Sequence, residues 1–186
     1  MTRGSRGPRA EPDPVLPILA CLGSDQGLMG EAARLFAEPL GGIGVWGEPM
    51  AFDKTAYYEP EMGAGLSRRF LCTCSLASAT RLGELKATAW DIEQRFAVDG
   101  RRRVNLDPGY LDHGKVVLAS FKPGPQKLFI GQGVWADIVL FFAHGAYGAL
   151  PWSFPDLRSQ QHEAFFMAAR QHYRKTLKLR MSQTST

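Results

Sequence analysis

Residues 101–115, RRRVNLDPGYLDHGK, set Arg101, Arg102, Arg103, His113 and Lys115 beside Asn105, Asp107 and Asp112, with a Pro-Gly pair between them. Arginine forks hold phosphate or carboxylate through paired hydrogen bonds, and a neighbouring amide can read a further oxygen or a base edge. If 101–106 is extended, Arg101, Arg103 and Asn105 share one side, and Arg102, Val104 and Leu106 the other. Arg103 and Asn105 then point together at a ligand. The same stretch also reads as a solvated loop. Asp107-Pro108-Gly109-Tyr110 has the residues of a type II turn, with Pro fixing φ at the first central position and Gly accepting positive φ at the second. That turn explains Asp107 but leaves Arg102, Arg103, Asn105, Tyr110, His113 and Lys115 to a ligand or to solvent.

A second cluster lies in FDKTAYYEPEMGAGLSRRF, residues 52–70, which brings Asp53, Lys54, Tyr57, Tyr58, Glu59, Glu61, Arg68 and Arg69 into an irregular segment. Tyrosines there can stack on a ring or donate a hydrogen bond, and either arginine can pair with Glu61 or with an anion. A loop held by its own ion pairs has the same composition. Asp137, in GVWADIVLFF, shares a strand face with Trp135, Val139 and Phe141. An acid in such company must be paired, placed at an edge or kept wet by a cleft, and in a pocket it can serve as base, metal ligand or ribose acceptor.

Several motifs fail on context. GIGVWG, residues 42–47, matches Gly-x-Gly-x-x-Gly but leaves a helix and enters a strand, the reverse of the dinucleotide arrangement. GQG at 131–133 reads as a hairpin turn. The chain has no P-loop, no zincin His-x-x-x-His and no Gly-x-Ser-x-Gly elbow. Cys72 and Cys74 form one Cys-x-Cys without a second pair, which argues against a four-ligand zinc site. No motif specifies a cofactor or a metal.

The elements that must position these residues follow from periodicity. VLPILACLG reads as a strand, and residues 24–41 as a helix capped by Ser24 or Asp25. Residues 42–52 and RRFLCTCS return as strands around the irregular 53–67 segment. Leu82, Leu85, Ala89, Ile92 and Phe96 define the clearest helix, with Glu84, Lys86, Asp91, Glu93 and Arg95 at other angular positions. VNLDPGYL, KVVLASF, QKLFIGQGVWADIVLFF and AYGALPW supply further extended segments, and 159–178 a last helix. Its apolar stripe of Phe166, Ala169, Tyr173 and Leu177 carries a rim of Arg170, Arg174 and Lys178. The order predicts an α+β fold with a largely antiparallel sheet, for which a ferredoxin-like arrangement is one form, and helices packed against it.

At 186 residues the chain can bury one substantial core. The expected organisation is a flexible basic tail over 1–14, a single domain over 15–180 and a short tail over 181–186. The net charge of +4 is unevenly spread. Residues 1–10 and 157–186 together hold nine basic side chains against Glu163 alone, while 11–156 holds 13 basic and 17 acidic. General nucleic-acid affinity therefore does not follow from the charge. No apolar run reaches membrane-spanning length and no signal-peptide pattern opens the chain. Three cysteines, an odd number with one close pair, make a poor disulfide framework, and a cytoplasmic location is expected.

FDKTAYYEPEMGAGLSRRF, RRRVNLDPGYLDHGKVVLAS, IGQGVWADIVL and LPWSFPDLRS, in this order, resemble the bacterial family called domain of unknown function 4416, over about residues 15–178. The matching positions include Asp53, Tyr57, Tyr58, Glu61, Met62, Gly63, Arg69, Arg102, Arg103, Asn105, Asp107, Pro108, Gly109 and Tyr110. Gln132 stands where that family usually has Asp, and Asp137 where it usually has Glu. The resemblance implies no activity, and the missing P-loop gives no support to a GTPase. From the residues themselves, the expectation is a phosphate-bearing small ligand, such as a nucleotide, bound between the 53–69 and 101–115 segments. Arg69, Arg103 and Lys115 would hold anionic oxygens, Tyr58 or Tyr110 would flank a ring, and Asp107 or Asp137 would place a hydroxyl or divalent ion. One alternative is RNA binding without catalysis, through the basic ends. Another is metal-assisted phosphate hydrolysis or transfer, with Asp107, His113 and Asp137 supplying a base or metal ligands.

Overall fold

The run LPILACLG is apolar at nearly every position, as suits a strand covered on both faces. It forms β1 (Leu16–Gly23), buried along its whole length inside a nine-stranded sheet. The computed structural model describes residues 12–184; most of the expected N-terminal tail and residues 185–186 lie outside the described residues. The further strands are β2 (Ile43–Trp46), β3 (Met50–Ala51), β4 (Ser67–Thr73), β5 (Val104–Leu111), β6 (Lys115–Ser120), β7 (Leu128–Gly131), β8 (Val134–Ala143) and β9 (Ala146–Ala149). Their order is β2-β4-β1-β5-β6-β8-β7, with β3 on β4 and β9 on β8, and every pairing is antiparallel. The helices are α1 (Gln26–Ala37), α2 (Glu59–Met62), α3 (Leu82–Phe96), α4 (Pro155–Arg158) and α5 (Glu163–Thr184). The fold is α+β.

Alternation along β1 separates two cores. Leu19 and Cys21 face α1 and α3, packing with Phe36, Leu85, Ala89 and Ile92. Leu16, Ile18 and Ala20 face α5, packing with Phe166, Ala169, Tyr173 and Leu177. Asp25 caps α1 by accepting from the Leu28 N–H at 3.0 Å. Helix α5 runs on through 181–184, which the sequence assigned to a tail; residues 178–183 are exposed.

The Asp107-Pro108-Gly109-Tyr110 run is not a turn, as its composition suggested, but lies inside β5. The physical reason is a split in the sheet. β5 pairs with β1 over residues 104–111 but with β6 only over 109–111. The missing N–H of Pro108 therefore falls where the second ladder has not begun. Gly109 is required by a close approach, since a Cβ there would stand 2.0 Å from the Val117 carbonyl oxygen. Upstream of Pro108 the open edge is closed by side chains of α3: the Leu106 N–H donates to Glu93 Oε1 at 2.6 Å, and the Leu106 carbonyl accepts from Lys86 Nζ at 2.9 Å. Lys86 and Glu93, which helical periodicity placed away from the apolar stripe, are buried because they replace the missing strand.

Candidate functional site

The split between β5 and β6 opens into a cavity of about 710 Å³, within the range of small-molecule sites. Three walls enclose it. The first is the loop between β3 and β4, which carries α2. Its ends are tied by the Phe52 N–H to the Leu66 carbonyl at 2.9 Å, and Phe52, Leu66 and Leu22 form a small core under Tyr58 and Met62. Tyr58 stands edge-on to both Phe52 and Tyr57. Burial, with Asp107 nearby, pushes the Tyr58 hydroxyl up to about 12.

The second wall is a chain of charged side chains that satisfy one another. Arg102 grips Glu61 with two bonds of 2.7 Å and gives Nη1 to Asn105 Oδ1 at 2.6 Å. Asn105 passes Nδ2 to Asp107 Oδ2 at 2.8 Å, and Lys86 bonds Asp107 Oδ1 at 2.9 Å. Burial alone would raise Asp107, but Lys86, Arg68 and the Asn105 amide hold it below its ordinary value. Burial dominates at Glu93 and raises it, against the Leu106 N–H, Lys86 and Arg102.

The third wall comes from β6, β8 and the segment before β7. Lys122 Nζ meets the Tyr57 hydroxyl and lies 4.4 Å from that ring's centre. Lys127 Nζ donates to Ser120 Oγ and the Lys122 carbonyl, both at 3.1 Å. Neither lysine has a carboxylate within ion-pair distance among the described residues. Asp137, 6% exposed, accepts from Gln126 Nε2 on Oδ2 at 3.2 Å, while its buried Oδ1 has no hydrogen-bond partner. Burial raises Asp137 above the usual carboxylate range, with Gln126, Lys127 and the nearby Trp152 indole opposing. Trp90 and Phe121, both partly exposed, line the same space.

Seven of the residues anticipated from sequence thus meet in this cavity: Tyr57, Tyr58, Glu61, Arg102, Asn105, Asp107 and Asp137. The others stand outside it. Arg69 bonds the Gly47 carbonyl and covers the Trp46 ring at 4.2 Å, and Arg103 reaches Asp25 at 3.4 Å in a separate cavity of about 600 Å³ that it shares with Arg101 and Asp99. Glu61 and Arg102 line both cavities. Asp53 is exposed beside Lys54, Tyr110 packs near Val117, His113 stands edge-on to Tyr173, and Lys115 pairs with Asp112. Arg102 rather than Arg103 converges with Asn105, because strand alternation begins at Val104 and residues 101–103 form a bridge and bend. Sequence reading missed Lys86, Glu93, Trp90, Phe121, Lys122 and Lys127. A faint signal existed for three of them: Lys86, Trp90 and Glu93 form an i, i+4, i+7 row beside the α3 stripe. It also missed the partner of Arg68. That guanidinium, 1% exposed, lies between the rings of Phe52 and Phe154 and bonds both oxygens of Asp156 at 3.0 and 2.9 Å.

Among the described residues no group of three or more His, Cys, Asp or Glu side chains is arranged to hold a metal ion, and no helix is long and apolar enough to cross a membrane. Fold and site together define an α+β protein with a mixed aromatic and charged cavity at a split in an antiparallel sheet. Residues 13–173 match the family described as Domain of unknown function (DUF4416), and the chain belongs to it. No curated protein and no solved structure matches the chain.

Proposed function

We propose that the cavity binds a small phosphate-bearing ligand such as a nucleotide, with the phosphate at Lys122 and Lys127 and a ring against Tyr57, Trp90 and Phe121. The observation that carries this reading is that, of the four cations lining the cavity, Lys86 and Arg102 are consumed by Asp107 and Glu61, while Lys122 and Lys127 have no carboxylate within ion-pair distance among the described residues. A phosphate supplies what both lack. Aromatic faces beside an ammonium suit a base, since stacking contributes about 1–3 kcal/mol per base. The anion-holding role expected of Arg69, Arg103 and Lys115 passes to these two lysines.

RNA binding has less support. Arg170 on the α5 rim already donates to the His113 carbonyl and covers the Phe142 ring at 3.5 Å, and residues 1–10 lie outside the described structure. A phosphotransfer centre of Asp107, His113 and Asp137 has less support, because His113 is not among the residues that line the cavity with the two aspartates.

Calorimetric titration with adenosine 5′-monophosphate tests the proposal. Replacing both Lys122 and Lys127 with alanine should weaken binding at least about tenfold, as loss of a charge-assisted bond does. Equal affinity of the double variant and the native protein overturns the phosphate assignment.

A further inference from the structure

Every acid of the charged wall has both oxygens engaged, Glu61 by Arg102, Asp107 by Lys86 and Asn105, and Glu93 by the Leu106 N–H and, at 3.5 Å, Arg102, whereas Asp137, which lines the cavity, keeps one buried oxygen without a hydrogen-bond partner. Lys127, whose charge acts on Asp137, directs its Nζ to Ser120 and a backbone carbonyl instead. The Trp152 indole N–H, close enough to Asp137 to oppose the rise in its affinity for a proton, is given to the Ile138 carbonyl at 2.9 Å and makes no hydrogen bond to the free oxygen. Gln126 engages the other oxygen and so orients the carboxylate rather than neutralising it. A buried acceptor left without a donor costs about 1–3 kcal/mol, and more when charged, so a fold gains nothing by keeping one.

Resting on the phosphate-ligand reading of this cavity, we infer that Asp137 is its specificity-determining residue: the free oxygen accepts a hydrogen bond from a sugar hydroxyl of the ligand. The class is then a hydroxyl-bearing sugar phosphate or ribonucleotide, not a bare phosphate. Gln126 and Lys127 are chain neighbours, so the group that orients Asp137 and one of the ammonium groups that would hold phosphate come from the same short segment. A sugar phosphate, with hydroxyls a few bonds from its phosphorus, matches that closeness. The raised affinity of Asp137 for a proton agrees with a carboxylate awaiting a donor.

The test compares adenosine 5′-monophosphate with its 2′,3′-dideoxy counterpart on the native protein and on Asp137→Asn. The native protein should prefer the ribonucleotide by about ten- to a hundredfold, the size of a hydrogen bond to a charged acceptor, and Asp137→Asn should lose that preference. Native protein that binds both nucleotides equally, or a variant that keeps the preference, overturns the inference while leaving the phosphate reading intact. Failure of the native protein to bind either removes the phosphate reading and the inference with it. A structural role is excluded separately by the ligand-free melting temperature, which should rise in Asp137→Asn and in Asp137→Leu; a fall in both shows that Asp137 serves the fold and overturns the assignment. Equal binding of the two nucleotides by native protein overturns the inference even if a variant fails to fold.

Discussion

Asp156→Ala should be among the most damaging single substitutions in this chain, although Asp156 lies outside the cavity. The carboxylate is fully buried, and its partner Arg68 is 1% exposed with Nε already lacking an acceptor. Removing Asp156 leaves a guanidinium sealed between Phe52 at 4.4 Å and Phe154 at 5.0 Å, with ring faces and the charge of the Asp107 carboxylate, which makes no hydrogen bond to it, as its remaining compensation. Breaking a buried pair from one side costs about 3–5 kcal/mol, whereas replacing both partners by apolar groups of similar volume is often neutral. Urea unfolding at pH 7 should therefore show a loss of about 3–5 kcal/mol for Asp156→Ala and recovery of most of it in the Arg68→Met, Asp156→Leu double variant. Burial alone would raise Asp156, but His162, 3.5 Å away, and Arg68 hold it below its ordinary value. A depressed folded-state value means that this stability is present above the unfolded carboxylate value and is lost as pH falls through the folded one. The deficit of Asp156→Ala should accordingly shrink as the pH is taken below the ordinary aspartate value. A loss under about 1 kcal/mol at pH 7, the scale of an exposed pair, refutes the reasoning.

Gly109→Ala should destabilise by at least about 1–3 kcal/mol, because its Cβ would stand 2.0 Å from the Val117 carbonyl oxygen and would force β5 and β6 apart; a melting temperature unchanged from native contradicts the close approach. Glu93→Gln keeps an acceptor for the Leu106 N–H but removes the charge. Since burial raises Glu93 above its ordinary value, native protein should lose stability relative to the variant as pH rises from about 4 to 7. A relative gain over that interval, followed by urea midpoints, shows the opposite shift.

Elements with strong periodicity are legible in the amino-acid sequence. The α3 stripe of Leu82, Leu85, Ala89, Ile92 and Phe96, the Asp25 cap and the 131–133 hairpin each depend on neighbours in the chain, so local pattern specifies them. The split in the sheet is hidden because Pro108-Gly109 has turn composition. Its actual causes, a ladder that stops short and a carbonyl of β6, are contacts with distant residues. The same non-locality conceals Lys86 and Glu93, whose burial makes sense once Leu106 is seen without a strand partner. Tyr57, Tyr58, Glu61, Asn105 and Asp137 are legible as candidates because each is polar where packing alone does not ask for it. Choosing Arg103 over Arg102 follows from extending strand alternation three residues too far. Choosing Arg69 over Arg68 follows from having no means to pair Arg68 with an aspartate 88 positions away.

The position of the phosphate in a crystal structure of the protein grown with adenosine 5′-monophosphate bears most directly on the cavity's role. Phosphate oxygens should lie within hydrogen-bond reach, about 3 Å, of Lys122 and Lys127 Nζ, with the base against Tyr57, Trp90 or Phe121. A phosphate seated instead against Arg101 and Arg103 in the neighbouring cavity, or no ordered nucleotide in the split between β5 and β6 at saturating concentration, would contradict that role.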